Sequence, residues 1–176
     1  MTGNDLDHVM VDIETLGLEP GCAILSIGAV QFGPGELGET FYRTIGLDSC
    51  QEAGLTIDAG TLDWWLGQDD DVRDVLVGGD PLDEVLAAYT AFHPDGAEIW
   101  ANAPSFDCSI LEAAYAAVDM EEPWAFYDER CVRTLRSLSC AVDREMTGNE
   151  HNALDDAIHQ ARIVSETLDR MQGVVA

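Results

Sequence analysis

Apolar and polar positions change period several times along this chain, and each change predicts an element. From Val9 to Leu18, VMVDIETLGL, the apolar run of Val9, Met10, Val11 and Ile13 reads as a strand. Asp12 and Glu14 interrupt it. A turn from Gly17 to Gly21 leads into CAILSIGAVQF, Cys22 to Phe32, whose continuous apolar run predicts a strand covered on both faces. A tight connection, Gly33 to Leu37, precedes the alternating Glu39 to Ile45, so the opening reads as an antiparallel meander.

Helical spacing dominates afterwards. A helix is expected from Asp58 to Leu66, carrying Trp64 and Trp65 either as core or as a substrate-side ridge, and Asp69 to Asp71 reads as a solvated helix start. Pro81 to Phe92 puts Leu82, Val85, Leu86 and Tyr89 on one face. Glu98 to Ala101 reads as a short strand. Ser105 is placed as the cap of a helix bearing Ile110, Leu111 and Ala114. Pro123 and Trp124 fall in a loop, Phe126 and Tyr127 in a short strand, Val132 to Cys140 in a helix, and about Ala153 to Met171 in a last helix. Strands first and βα alternation later predict an α/β fold with a mixed sheet, organised as one domain over residues 1–176.

Charge alters this picture more than composition does. Against 34 acidic residues stand eight basic ones, all arginine, for a net charge of −26. So acidic a chain argues against a polyanionic partner and leaves two readings: an acidic decoy or adaptor, or a surface suited to molar salt, where screening is short-ranged. The acids run along the whole chain and lysine is absent throughout, which favours the second and a halophilic cytoplasm. Neither a spanning apolar stretch nor a basic leader is present in the sequence, so a cytoplasmic, membrane-free protein is expected. The five scattered cysteines read as reduced thiols.

Residues two apart on a strand share a face, so Asp12 and Glu14 lie side by side. Burying both unpaired is costly, and a divalent cation is the usual remedy. Asp107, in NAPSFD, follows a strand in the first turn of a helix; alone it could simply face the helix dipole. His151, in HNALDDA, could be an ordinary surface histidine. The two aspartates after it can be separated. Ala157, Ala161, Val164, Leu168 and Met171 form the apolar stripe of the last helix; at about 100° per residue Asp156 flanks that stripe, while Asp155 lies roughly 200° away, toward water. Asp156 is therefore assigned to the site and Asp155 to the helix start, three residues after the natural cap Asn152.

DIET, the FD of NAPSFD, and HNALDDA together resemble the three exonuclease motifs of the DEDDh branch of the DnaQ-like 3′–5′ exonucleases. TLDWW, WANAPSFDCSILEAAY, PW and RCVRTL further resemble a small phage- and bacteria-associated subgroup, so that the similarity spans nearly the whole chain. The resemblance implies an RNase H-like α/β fold, a mixed central sheet flanked by helices. It also implies catalytic roles for Asp12, Glu14, Asp107, His151 and Asp156. Leu16 stands where the family often has threonine.

The chemistry so implied is hydrolysis of single-stranded DNA or RNA 3′ ends to 5′-mononucleotides. Two divalent cations, Mg²⁺ or Mn²⁺, about 3.5–4 Å apart need shared carboxylates. Asp12 would bridge them, Glu14 and Asp156 would complete one site, and Asp107 would hold the other. His151 would act as general base, an imidazole of ordinary pKa about 6.5 suiting that task. Thr15, Leu16, Gly17 and Leu18 are candidates to pack against the terminal nucleotide, or else form a simple turn. A homodimer is left open. The competing classes are a catalytically silent acidic adaptor or nucleic-acid mimic, which has no need for all five site residues, and an RNase H-like endonuclease, which normally lacks a histidine placed like His151.

Overall fold

The first strand decides the layering, because its alternate residues belong to two different cores. In a computed structural model, which describes residues 6–146 and 151–175, β1 (His8–Thr15) lies at the centre of a five-stranded sheet. The expectation drawn from the N-terminus of the sequence falls partly on residues 1–5, outside that range. β2 (Ile24–Gly33) and β3 (Glu36–Thr44) pair antiparallel on one side, and β4 (Glu98–Ala101) and β5 (Glu129–Cys131) pair parallel on the other, giving the order β3-β2-β1-β4-β5. The sheet is therefore mixed, as the sequence pattern predicts, with the meander at one edge.

Val9, Val11 and Ile13 join the larger core on one face. There α4 (Leu82–Phe92) contributes Leu82, Val85, Leu86 and Tyr89, and α5 (Pro104–Ala117) contributes Cys108, Ile110, Leu111 and Ala114. Met10 points the other way, into a smaller core with Val30, Phe32 and Trp100 under Ala157, Ala161 and Val164 of α7 (Ala153–Val175). Strand alternation carries Asp12 and Glu14 onto this second face, at the end where α7 begins.

Gly28 permits that approach. It pairs with Asp12 across β1 and β2, and a Cβ on it would lie 2.2 Å from the backbone carbon of Ala153 and the nitrogen of Leu154. Any side chain here would push the start of α7 off the sheet. A register shift between Glu14 and Thr15 ends the regular pairing of β1 just past the acids.

Several elements differ from the sequence pattern. Phe126–Asp128 is a 3₁₀ turn and the strand is the following β5, because parallel pairing with β4 selects Glu129 to Cys131. The cap of α5 is Ala103, not Ser105: Pro104 occupies the first helical position, with its fixed φ and no N–H to satisfy. α6 spans Val132–Arg136, shorter than predicted. α2 (Ala59–Leu66) starts as expected after Asp58, whose Oδ1 accepts from Thr61 N at 2.8 Å. The short helices α1 (Leu47–Glu52) and α3 (Asp70–Arg73) complete the set, α3 beginning within the acidic run. Of the five cysteines, all free, Cys22, Cys50 and Cys108 are buried.

Candidate active site

Three carboxylates converge where β1 meets α7. One oxygen from each of Asp12, Glu14 and Asp156 lies within 4.8 Å of the others, a spacing at which one divalent cation can reach all three. Asp156 comes from the first turns of α7, whose N-terminus is capped by Asn152: its Oδ1 accepts from Leu154 N and Asp155 N, both at 3.1 Å. Asp155 thus contributes a backbone donor to the cap, while Asp156, one residue on, enters the cluster.

Asp107 reaches the same place from the other face. It lies in the first turn of α5 and is buried to 5% exposure. Burial raises its carboxyl to about 7, backbone N–H donors and Arg133 holding it below where burial alone would put it. Glu14 is pushed up to about 8 by burial and then by the charges of Asp156 and Asp107. Asp12 is raised well above its ordinary value by burial, then by Asp107, Glu14 and Asp156. These four acids repel one another in a partly dry site, and a divalent cation supplies the missing counter-charge. The donor set is all oxygen, which suits hard cations such as Mg²⁺ or Mn²⁺.

Sequence reasoning missed Gln160. One helical turn beyond Asp156, its Nε2 donates to Asp12 Oδ1 at 2.8 Å and draws that carboxylate's pKa down. The i, i+4 spacing from Asp156 was a usable signal, since it places both residues on one face of α7.

Beside the acids opens a cavity of about 490 Å³, lined by Ile13, Glu14, Thr15, Leu18, Asp58, Gly60, Thr61, Trp64, Trp65 and Phe106. That volume lies in the range of small-ligand sites. The two tryptophans divide the roles that sequence left open: Trp65 is packed and its Nε1 donates to Thr15 O at 2.9 Å, whereas Trp64 is 44% exposed. His151 meets them both, its ring centroid 4.9 Å from that of Trp64 and 6.5 Å from that of Trp65. It is exposed, with φ 65°, a left-handed conformation that non-glycine residues seldom adopt. Of the residues after Glu14, Thr15 and Leu18 line the cavity and Leu18 projects at 71% exposure. Gly17 backs against Cys22. Leu16 is fully buried, so its side chain lies in the core rather than at the surface.

A mixed sheet with acids on β1, at a helix start facing it and on the helix after β4 defines a nuclease-like fold and site. The sequence matches the family model described as 3′-5′ exoribonuclease Rv2179c-like domain over residues 7–168, and the chain belongs to that family, carrying a 3′–5′ exonuclease domain. No curated protein matches it. Solved structures share the RNase H-like fold of DEDDh exonucleases at low identity. Cell-death related nuclease 4 is 14% identical with a TM-score of 0.60; the match covers 95% of this chain and 64% of that one. Exonuclease X in complex with 5′ overhanging duplex DNA is 18% identical with a TM-score of 0.53, covering 95% and 92%. The nuclease domain of 3′hExo, a DEDDh family member, bound to rAMP, is 15% identical with a TM-score of 0.57, again covering 95% and 92%. No helix among the described residues is long and apolar enough to cross a membrane.

Proposed function

We propose that this chain, as one domain over residues 1–176, removes nucleotides from single-stranded 3′ ends, RNA first, releasing 5′-mononucleotides. The convergence of Asp12, Glu14 and Asp156 within 4.8 Å, at the rim of a cavity that shares Glu14, carries the reading. The family description favours RNA over DNA.

Asp12, Glu14, Asp156 and Asp107 would hold two divalent cations, Mg²⁺ or Mn²⁺. When bound, these supply Lewis-acid charge at the scissile phosphate and neutralise the four carboxylates. The protein's own groups do the rest. The cavity takes the terminal base and sugar between Leu18, Phe106 and Trp64, fixing the last phosphodiester over the acids. Gln160 fixes one oxygen of Asp12, leaving the other free to bind. His151, braced by Trp64, accepts the proton of the attacking water.

The test is end-labelled single-stranded RNA and DNA with Mg²⁺ or Mn²⁺, on the unaltered chain and on Asp156→Ala and Asp155→Ala. Stepwise mononucleotide release, abolished by Asp156→Ala and largely kept by Asp155→Ala, is expected. Near-normal release by Asp156→Ala would overturn the site, and products cut from within the strand would make the protein an endonuclease.

A further inference from the structure

A chain of net charge −26 that acts on a polyanion must repel its substrate over most of its surface. Its few cations are not scattered, however. Six of the eight arginines fall after Glu129 in the sequence, and four of these, Arg133, Arg136, Arg144 and Arg162, gather along the seam between α6 and α7.

The seam is firmly built. Val132 and Leu135 pack α6 into the core beneath Ala157, Ala161 and Val164. Val142 N donates to Thr167 Oγ1 at 3.0 Å, pinning the segment after α6 to α7. Arg144 reaches across to Glu166, its Nε donating to Oε2 at 3.0 Å and its Nη2 to Oε1. Helical spacing of three and four puts His159, Arg162 and Glu166 on one face of α7, directed to that same side. Burial, and then the charges of Arg136, Arg144 and Arg162, lower the pKa of His159, as expected if the guanidinium groups crowd around it.

Its position matters as much as its charge. Arg133 lies in the first turn of α6, its backbone N–H donating to Asn102 O at 3.4 Å just after β4, and its charge is felt at Asp107. The seam therefore starts beside Asp107, and none of its arginines is among the residues that line the nucleotide cavity with Leu18 and Trp64. A strand whose terminal nucleotide fills the cavity and whose last phosphodiester lies over the acids then has the seam as a cationic surface beyond them.

We propose that the α6–α7 seam binds the backbone of the strand on the 5′ side of the scissile bond, with Arg133, Arg136 and Arg162 contacting its phosphates. This rests on the exonuclease reading. Asp143 lies 3.8 Å from Arg136, and Glu166 holds Arg144; both are exposed pairs, which exchange readily for phosphate oxygens. The seam is then a local positive lane in a negative field, and it sets a preference for longer substrates.

The test uses Arg136→Gln/Arg162→Gln in the full chain with Mg²⁺, comparing a dinucleotide with a ten-nucleotide RNA. We expect kcat/KM on the ten-mer to fall about tenfold, as loss of two phosphate contacts implies, with the dinucleotide within about twofold. Binding of the labelled ten-mer, measured in an Asp156→Asn background without hydrolysis, should weaken likewise. Its salt slope should shift by about 1.4, at about 0.7 per phosphate lost. Equal ten-mer binding by both proteins would overturn the seam. If the unaltered chain hydrolyses neither substrate, the exonuclease reading fails, and the binding arm still decides the seam. As a check independent of folding, neutral methylphosphonates at the second and third linkages should weaken binding to the protein with unaltered arginines. No effect there would also overturn the proposal.

Discussion

Gln160 Nε2 donates to Asp12 Oδ1 at 2.8 Å, across 148 positions of sequence. The bond holds a carboxylate that three neighbouring acids would otherwise push aside, and it lowers the cost of keeping Asp12 ionised. Gln160→Ala should weaken divalent-ion binding about 10–100-fold, as loss of an outer-shell partner does, with the fold intact. Calorimetry with Mn²⁺ giving equal affinity for the two proteins would remove this role.

His151 stands apart from the acids in kind. The proposed general-base role needs no metal contact, so His151→Ala should lower turnover on the order of 10²–10⁴-fold while calorimetric metal affinity stays the same. Loss of both together would make the imidazole a ligand. Trp64→Ala, removing the ring 4.9 Å from His151, should reproduce part of the turnover defect.

The raised carboxyls give a pH prediction with a definite sign. Asp107 at about 7 and Glu14 at about 8 hold protons in the folded protein that the unfolded chain, with ordinary values near 4, has already released. The contribution of these groups to metal-free stability is therefore complete below about pH 4, falls as pH rises from there and is lost by about 7–8, where both are ionised in the folded protein. A divalent cation needs these groups ionised and displaces their protons. Mg²⁺ should accordingly raise the melting temperature more at about pH 8.5 than at about pH 6. An equal shift at both values would show that the cation binds elsewhere.

Gly28 should tolerate no side chain. In Gly28→Ala the new Cβ meets backbone rather than a movable side-chain tip, so α7 must shift. A loss of about 1–3 kcal/mol is expected, the range of overpacked cores, together with weaker metal binding as Asp156 retreats. Unchanged denaturant midpoint and metal affinity would mean that α7 does not depend on this contact.

Net charge predicts the response to salt. Raising KCl from dilute toward molar shrinks the Debye length from about 10 Å at 0.1 M to about 3 Å, relieving both self-repulsion and repulsion of substrate. Melting temperature and mononucleotide release should both climb. Dinucleotides should gain more than long strands, whose seam contacts are screened as well. A monotonic fall of both quantities from dilute buffer would remove the high-salt reading.

What the sequence disclosed depended on whether the signal was local. The acids of β1 and the choice of Asp156 over Asp155 followed from period two and period 3.6, and the structure groups Asp156 with Asp12 and Glu14. Gly28 was silent, and Gln160 had only its spacing from Asp156 to mark it, because their meaning lies in partners far along the chain: a polar residue on a helix and a glycine in a strand have many uses. Phe126 and Tyr127, expected as a short strand, are 81% and 67% exposed in a 3₁₀ turn; aromatic residues favour strands only where neighbours pack against them. α1, only six residues long, offers too few turns for a period to show.

The seating of α7 on Gly28 also makes the cluster depend on one docking contact. Asp12 and Glu14 are carried by the sheet, whereas Asp156 and Gln160 belong to α7, and they meet Asp12 only where that helix lies against it. Lifting α7 from Gly28 would leave β1, β2 and β3 paired with one another and still disperse the acids. The site is thus a latch between two pieces of the fold, and it exists only while the latch is closed.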